Sequence, residues 1–323
     1  MKRSIFRRLF QIISLIIGVI VMNFTLIQMA PGSLLDIMTS EQQITDPATL
    51  EHLKHLYGLD RSPLVQLLHY TWSVFTFDLG YSYRQNAPVF DIIMAQLPST
   101  LLLMLTSLGV AVTLGMIAGV IASVKVNTFW DVVISLAAVF FFAAPTFWLG
   151  IMLIIFFAVH LEWLPVGGMT TIGEQFGPIG QVIDVLRHLI LPALSLGLFY
   201  AAIYTRVMRA SMLEVFSLDF VRTARAKGLS KTRVILAHVF RNALLPVVTL
   251  LGLQLGTVLG GSVVIEAVFS WPGIGSLMLD SVMSRNYPVV LGVFVLSAVV
   301  VAIANLLVDL AYYRLDPRIR SRA

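Results

Sequence analysis

Residues 99–124 read STLLLMLTSLGVAVTLGMIAGVIASV, a stretch without one charged side chain. About 20 mostly apolar residues let a helix cross a bilayer, and lipid accepts only helices or closed barrels because it offers the backbone no water. Five further runs of this kind follow the same reading: 9–30, 132–159, 189–205, 243–267 and 288–310. They are continuous rather than alternating over about ten residues, which favours helices over a barrel. The sequence thus predicts an all-α membrane protein with six transmembrane helices. Composition agrees. Of 323 residues, 58% are hydrophobic and 12% charged, with a mean hydropathy of +0.89, whereas a soluble domain is about one-quarter charged. So few polar groups exclude a soluble enzyme or binding module, and the wealth of Leu, Ile, Val and Phe excludes disorder. Without cysteine there are no disulfides, thiolate zinc sites, iron–sulfur clusters or cysteine nucleophiles.

Working outward from the spans, the flanking charges predict orientation. With the N-terminus inside, 17 of the 22 basic residues fall on cytoplasmic segments, while about 12 of the 17 acidic ones lie outside. The positive-inside rule therefore places both termini in the cytoplasm. The first run follows Lys2, Arg3, Arg7 and Arg8. It exceeds the roughly 7–15 apolar residues of a secretory signal and is read as a retained helix. Pro145 is expected to kink the third span.

The longest segment between spans runs from Pro31 to Pro98, on the external side. Its stretch from His52 to Tyr57 and its apolar run from Leu64 to Phe77 predict short helices. His52 and His55 stand three apart, but with no further ligands beside them they read as a solvated helix face. A second external loop covers Leu161 to Arg187, and a third contains Trp271-Pro272-Gly273-Ile274-Gly275, a turn-forming cluster.

The cytoplasmic segment 206–242 is the most informative. Arg206 and Arg209 read as the end of the fourth helix, where cations suit the dipole. Ser217 is the expected N-cap of a new short helix, Asp219 lies in its first turn, Arg225 and Lys227 in its last, and Gly228 stops it. Ser230 is expected to cap the next helix. A charged helix on the membrane face serves either anionic headgroups, worth about 1 kcal/mol per cation, or a partner protein. The residues alone leave both open.

Several chemistries are missing. There is no G-x-x-x-x-G-K-[ST] and no H-E-x-x-H. Gly273-Ile274-Gly275-Ser276 lacks the spacing of a serine nucleophile. The inner portions of the spans hold no Asp, Glu, Lys, Arg or His; Glu266 and Asp309 lie near span ends. A central charge costs about 2.5–3.5 kcal/mol and is kept chiefly for ion coupling, so a proton- or sodium-driven carrier is disfavoured. The mild polar groups in the spans are Asn23, Thr113, Thr146, Ser195, Gln254, Thr257, Ser297 and Asn305. They read mainly as interhelical hydrogen-bonders, with Gln254 and Asn305 as candidate path residues. Gly115-x3-Gly119 and Gly252-x3-Gly256-x3-Gly260 permit close helix approach, within the subunit or between subunits.

A resemblance now enters. Asp219-Phe220-Val221-Arg222-Thr223-Ala224-Arg225-Ala226-Lys227-Gly228-Leu229, followed by Arg241-Asn242-Ala243-Leu244-Leu245-Pro246, closely resembles the ATPase-contact loop of ABC importer permeases of the dipeptide/oligopeptide/nickel branch. Met29-Ala30-Pro31-Gly32, Tyr57-Gly58-Leu59-Asp60, Asp78-Leu79-Gly80-Tyr81-Ser82, Glu266 through Gly275, Tyr287-Pro288-Val289-Val290 and Leu315-Asp316-Pro317-Arg318 extend the likeness over nearly the whole chain. There are departures. The family's usual Pro-Gly-Asp-Pro is Pro31-Gly32-Ser33-Leu34 here, and Arg-Asp-Tyr-Pro is Arg285-Asn286-Tyr287-Pro288. Both lie on the external side, where they bear on receptor docking or substrate choice.

The resemblance implies a type I ABC importer permease fold. Residues 1–98 would form the first helix and external region, 99–312 the permease domain with its coupling loop 206–242, and 313–323 a tail. It implies a non-catalytic subunit of the bacterial inner membrane, paired with a second homologous permease. Two ATP-binding subunits would carry ATP and magnesium, and a periplasmic binding protein would deliver di- or oligopeptides. Asp219, Arg222, Thr223, Ala224, Arg225, Lys227 and Gly228 would form the ATPase-coupling helix. Nickel or glutathione as cargo, and an ion-coupled secondary transporter, are the competing readings.

Overall fold

The computed structural model describes the backbone of residues 2–29, 62–82, 84–174, 176–255 and 258–315. The chain is mostly helical. It opens with α1 (Lys2–Met29), α2 (Pro63–Phe75) and a small hairpin of β1 (Tyr81–Ser82) and β2 (Ala87–Pro88). The helices α3 (Val89–Val124), α4 (Phe129–Ala143), α5 (Thr146–Leu153) and α6 (Pro178–Phe216) follow. Next come α7 (Asp219–Ala226), α8 (Lys231–Arg233), α9 (Arg241–Leu255), α10 (Val258–Val268), α11 (Ile274–Met283) and α12 (Tyr287–Leu315). Wider π-type turns continue α5 over Ile154–His160 and join α8 to α9 over Val234–Phe240.

Four helical segments among the described residues are long and apolar enough to cross a membrane: Val89–Val124, Pro178–Phe216, Lys231–Gln254 and Tyr287–Leu306. Phe129–Ala143 and Thr146–His160 meet at 107° and make a fifth if they form one span. Pro145 thus breaks the third run instead of merely kinking it. Its fixed φ of −59° and extended ψ of 134° start α5 afresh. Of the run 243–267, expected as one span, residues 243–255 are helical in α9 and 258–267 in α10, and 256 and 257 lie outside the described residues. The first run is helical throughout its described length, with an apolar portion at Phe10–Leu26. Among the described residues, helix length and composition thus provide four crossings, or five with the bent pair counted as one.

The fold groups into two compact units, Met1–Leu97 with Leu277–Ala323, and Pro98–Ser276. In the first, α1 packs along α12. Asn23 is buried, and its Nδ2 donates to the Leu291 carbonyl at 3.1 Å and to the Tyr70 hydroxyl at 3.3 Å. That is the interhelical bonding expected of a polar residue in an apolar helix. The hairpin pairs Tyr81 with Pro88 and Ser82 with Ala87. Buried Asn286 donates to the Ser82 Oγ at 2.8 Å. At this departure from the family pattern the side chain is therefore a buried internal tie.

In the second unit, α3 and α6 touch backbone to side-chain root. A Cβ on Gly119 would lie 2.7 Å from the Met208 Cβ and 2.8 Å from the Thr205 carbonyl, and one on Gly115 would overlap Tyr204. The Gly115-x3-Gly119 pattern is thus consumed inside the subunit, with no room left for a second chain. Gly256 of the other glycine pattern lies outside the described residues, as do His52, His55, the motif Tyr57–Asp60 and Ser33-Leu34.

Candidate functional site: the exposed helix and its mounting

The helix α7 is fixed by two small side chains. Val221 is 0% exposed and Ala224 5%; three apart, they share one face and join the core formed with Val215, Val234 and Val239. The rest of the helix projects. Asp219, Phe220, Arg222, Thr223, Arg225, Ala226 and Lys227 are all exposed. Arg222 and Asp219 approach to 3.6 Å but remain solvated, so their pairing contributes little stability. The Arg225 guanidinium lies 5.8 Å from the Phe216 ring. Asp219 in the first turn and Arg225 in the last both suit the helix dipole. The outcome is a rigid, cation-rich surface standing on an apolar root.

Both ends of α7 are tightly turned. Its exit follows the glycine stop expected from sequence: Gly228 has φ +76°, its N–H donates to the Arg225 carbonyl at 3.0 Å, and the Leu229 N–H reaches Ala224 O at 3.4 Å. These two bonds are the Schellman closure. The entry differs from expectation. Ser217 is helical and ends α6, its hydroxyl donating to the Glu214 carbonyl at 2.7 Å. Leu218 takes the N-cap position with an extended backbone, and its carbonyl accepts the Val221 N–H at 3.0 Å. Ser230 does start α8, but without a side-chain capping bond.

Arg206 and Arg209 likewise depart from expectation. The helix α6 continues to Phe216, so both arginines lie within it. Arg209 donates through Nε and Nη2 to the two carboxylate oxygens of Asp131 at 2.7 and 2.8 Å. The Asn127 N–H completes that carboxylate at 3.0 Å. Arg206 covers the Phe142 ring at 4.3 Å, and Phe142 stacks on Phe199 at 5.6 Å. A forked ion pair and a cation–π contact thus bolt α4 to α6 just before α6 reaches α7. Sequence reading missed Asp131. The available signal was an acidic residue flanking one span and an arginine flanking another on the same side.

A second constellation surrounds Glu266, which is 0% exposed. Its Oε1 accepts from the Thr100 hydroxyl at 3.0 Å and its Oε2 from the Ser276 N–H at 2.9 Å. Thr100 Oγ1 in turn accepts the Ile274 N–H at 2.8 Å, and the Trp271 indole donates to Ser99 O at 3.0 Å. Orphan donors in the first turn of α11 are therefore satisfied from α3 and α10. The Trp271–Gly275 cluster forms the expected turn, and Gly273 is required because a Cβ would overlap the Glu266 carboxylate. The Ser276 hydroxyl is spent on the carbonyls of Trp271 and Gly273. Glu266→Ala should cost about 1–3 kcal/mol by stranding the Ser276 donor. It should lower the thermal unfolding midpoint in detergent, with Glu266→Gln milder; an unchanged midpoint for the alanine variant refutes the clamp.

Of the candidate path residues, Gln254 lies half-buried near the end of α9 and Asn305 exposed on α12. They fall in different units.

Several membrane-length apolar helices define a multi-pass membrane protein. The chain belongs to the family of binding-protein-dependent transport system inner membrane components, whose model matches residues 111–321; the model of the family's N-terminal region matches residues 1–104. It is 39% identical to the dipeptide transport system permease protein DppB of Escherichia coli K12 over 100% of both chains. It is also 39% identical to the oligopeptide transport system permease protein AppB of Bacillus subtilis 168, and 40% to the glutathione transport system permease protein GsiC of Escherichia coli O6:H1, over 99% of each chain. Among solved structures, the inward-facing MetNI methionine ABC transporter matches with a TM-score of 0.56 at 18% identity. The match covers 70% of this chain and 96% of that one, and it shows a shared fold.

Proposed function

We propose that this chain is a permease subunit of an ATP-driven importer that brings di- and oligopeptides across a bacterial inner membrane. In this reading it crosses six times with both termini in the cytoplasm and pairs with a second, homologous permease. Two ATP-binding subunits hold ATP and magnesium, and a periplasmic binding protein delivers the cargo; the chain itself carries no cofactor and no catalytic residue. The observation that carries the reading is 39% identity along the whole length of dipeptide and oligopeptide permeases.

The helix α7 supplies the mechanical part. Asp219, Arg222, Thr223, Arg225 and Lys227 face the ATPase, Ala224 roots the helix, and Gly228 sets its exit angle. The helix α6, 39 residues and so about 58 Å long, ends immediately before α7. Closure of the ATPases displaces α7, and the stiff α6 carries that displacement into the span bundle, switching it between inward- and outward-facing states. Gln254 and Asn305 are assigned to the path of the solute.

Uptake into proteoliposomes holding the assembled importer tests this. Radiolabelled dipeptide should accumulate only with ATP on the cytoplasmic side and binding protein outside. Accumulation driven by an ion gradient without ATP overturns the class. The 40% identity to a glutathione permease favours a second cargo, itself a tripeptide. Uptake of glutathione or nickel with no peptide uptake would replace the cargo assignment while leaving the machine intact.

A further inference from the structure

The helix α2 is turned inside out for a helix in water. Its thirteen residues, PLVQLLHYTWSVF, contain no Asp, Glu, Lys or Arg. Leu64, Leu68, Trp72 and Phe75 are 69%, 62%, 70% and 51% exposed. At 3.6 residues per turn they fall on one arc, which His69 borders. The inward arc carries the more polar set, Gln66, Tyr70, Thr71 and Ser73, together with Leu67 and buried Val74. A helix on an aqueous surface has the opposite arrangement.

Where α2 lies says what covers this arc. Gln28 Nε2 donates to Gln66 Oε1 at 2.9 Å, and Asn23 Nδ2 reaches the Tyr70 hydroxyl at 3.3 Å. Further on, Val74 shares an apolar cluster with Ile20 of α1 and Val295 of α12. As α2 advances from Gln66 to Val74, its partners step back along α1 from Gln28 to Ile20. The two helices are therefore antiparallel. Eight residues of α1 correspond to about 12 Å of depth. Apolar side chains of α1 at Val21, Met22 and Leu26 are exposed as well.

We infer that α2 dips into the external leaflet beside α1, with Leu64, Leu68, Trp72 and Phe75 facing lipid. The interior of a helix pairs its own backbone, and at the deep end of α2 the N–H groups of Thr76, Phe77 and Asp78 return to the carbonyls of Trp72, Val74 and Ser73 at 3.0, 3.1 and 2.9 Å, so few polar groups are stranded. The segment between the first span and the hairpin is thus partly a membrane element, with Leu64 shallow and Phe75 deep.

This rests on the chain being a membrane protein, and the test separates the two claims. The chain has no cysteine, which gives labelling a clean background. Single variants Leu64→Cys, Leu68→Cys and Phe75→Cys, with Ile303→Cys on α12 as reference, carry a nitroxide in the full chain. They are assembled with the partner subunits in phosphatidylcholine/phosphatidylglycerol nanodiscs. Power saturation should show high oxygen and low nickel-chelate access, with the ratio rising several-fold from position 64 to 75. Chelate access at positions 68 and 75, while 303 reads lipid, overturns the inference alone. Immobile labels reached by neither reagent mean a protein partner and overturn it as well. Water access at 303 overturns the membrane reading itself.

Discussion

The Gly228→Val variant is expected to insert and accumulate normally yet transport about 10-fold less peptide per ATP hydrolysed, because a left-handed residue costs about 1–2 kcal/mol for any side chain and more for a β-branched one. Gly228 stands at φ +76°, and a Cβ there meets nothing within 4 Å. The penalty is therefore conformational, not steric. Relief comes from unwinding the Schellman turn, which frees the angle at which α7 meets α8. Asparagine tolerates this region of backbone space, so Gly228→Asn should keep most of the coupling. Parallel assays of ATP hydrolysis and uptake in proteoliposomes read the ratio directly. A wild-type ratio in the valine variant would sink the assignment of α7 as the lever.

Asp131→Ala should have the largest effect on stability. It leaves Arg209 without its partner in an environment where Asp131 is 7% exposed and Arg209 31%. Removing one member of a fully buried pair typically costs about 3–5 kcal/mol, and because water still reaches part of Arg209 the loss here falls at or below the lower end of that range. The expected observation is a much lower thermal midpoint in detergent and reduced accumulation in the membrane. Asp131→Asn should lie between, because it keeps the shape and loses the charge. Exchanging the two residues should restore only part of the loss, as the Asn127 N–H that now completes the carboxylate would face a guanidinium. An alanine variant as stable as the parent would show that the pair does not hold α4 to α6.

The readable features were local ones. An apolar run announces a helix because lipid leaves the backbone no alternative. Asp219, Arg225 and Gly228 bracketed α7 correctly, because dipole and φ preferences act within one turn of the chain. Errors arose where a local signal had a competitor nearby. Ser217 was free to cap either neighbour, and its hydroxyl went to the carbonyl of Glu214. Arg206 and Arg209 looked terminal because hydropathy ends at Thr205, but the helix persists to Phe216, stabilised by Asp131 and Phe142 on a different element. Asn286 looked like an external variation; its tie to Ser82 crosses 204 residues and left no trace in its own neighbourhood.

By itself, then, the sequence determined that this protein lies in lipid, that it is helical, and that a short cation-rich helix interrupts the spans near residue 220. All three follow from properties that act residue by residue: transfer energy, backbone satisfaction and capping. Only the tertiary structure decided how that helix is mounted. Val221 and Ala224 root it, Asp131 grips Arg209, Glu266 and Thr100 tie α3 and α10 to α11, and α2 turns its apolar arc outward. Those arrangements depend on which distant side chains meet, and pairwise contacts across a hundred residues have no local signature.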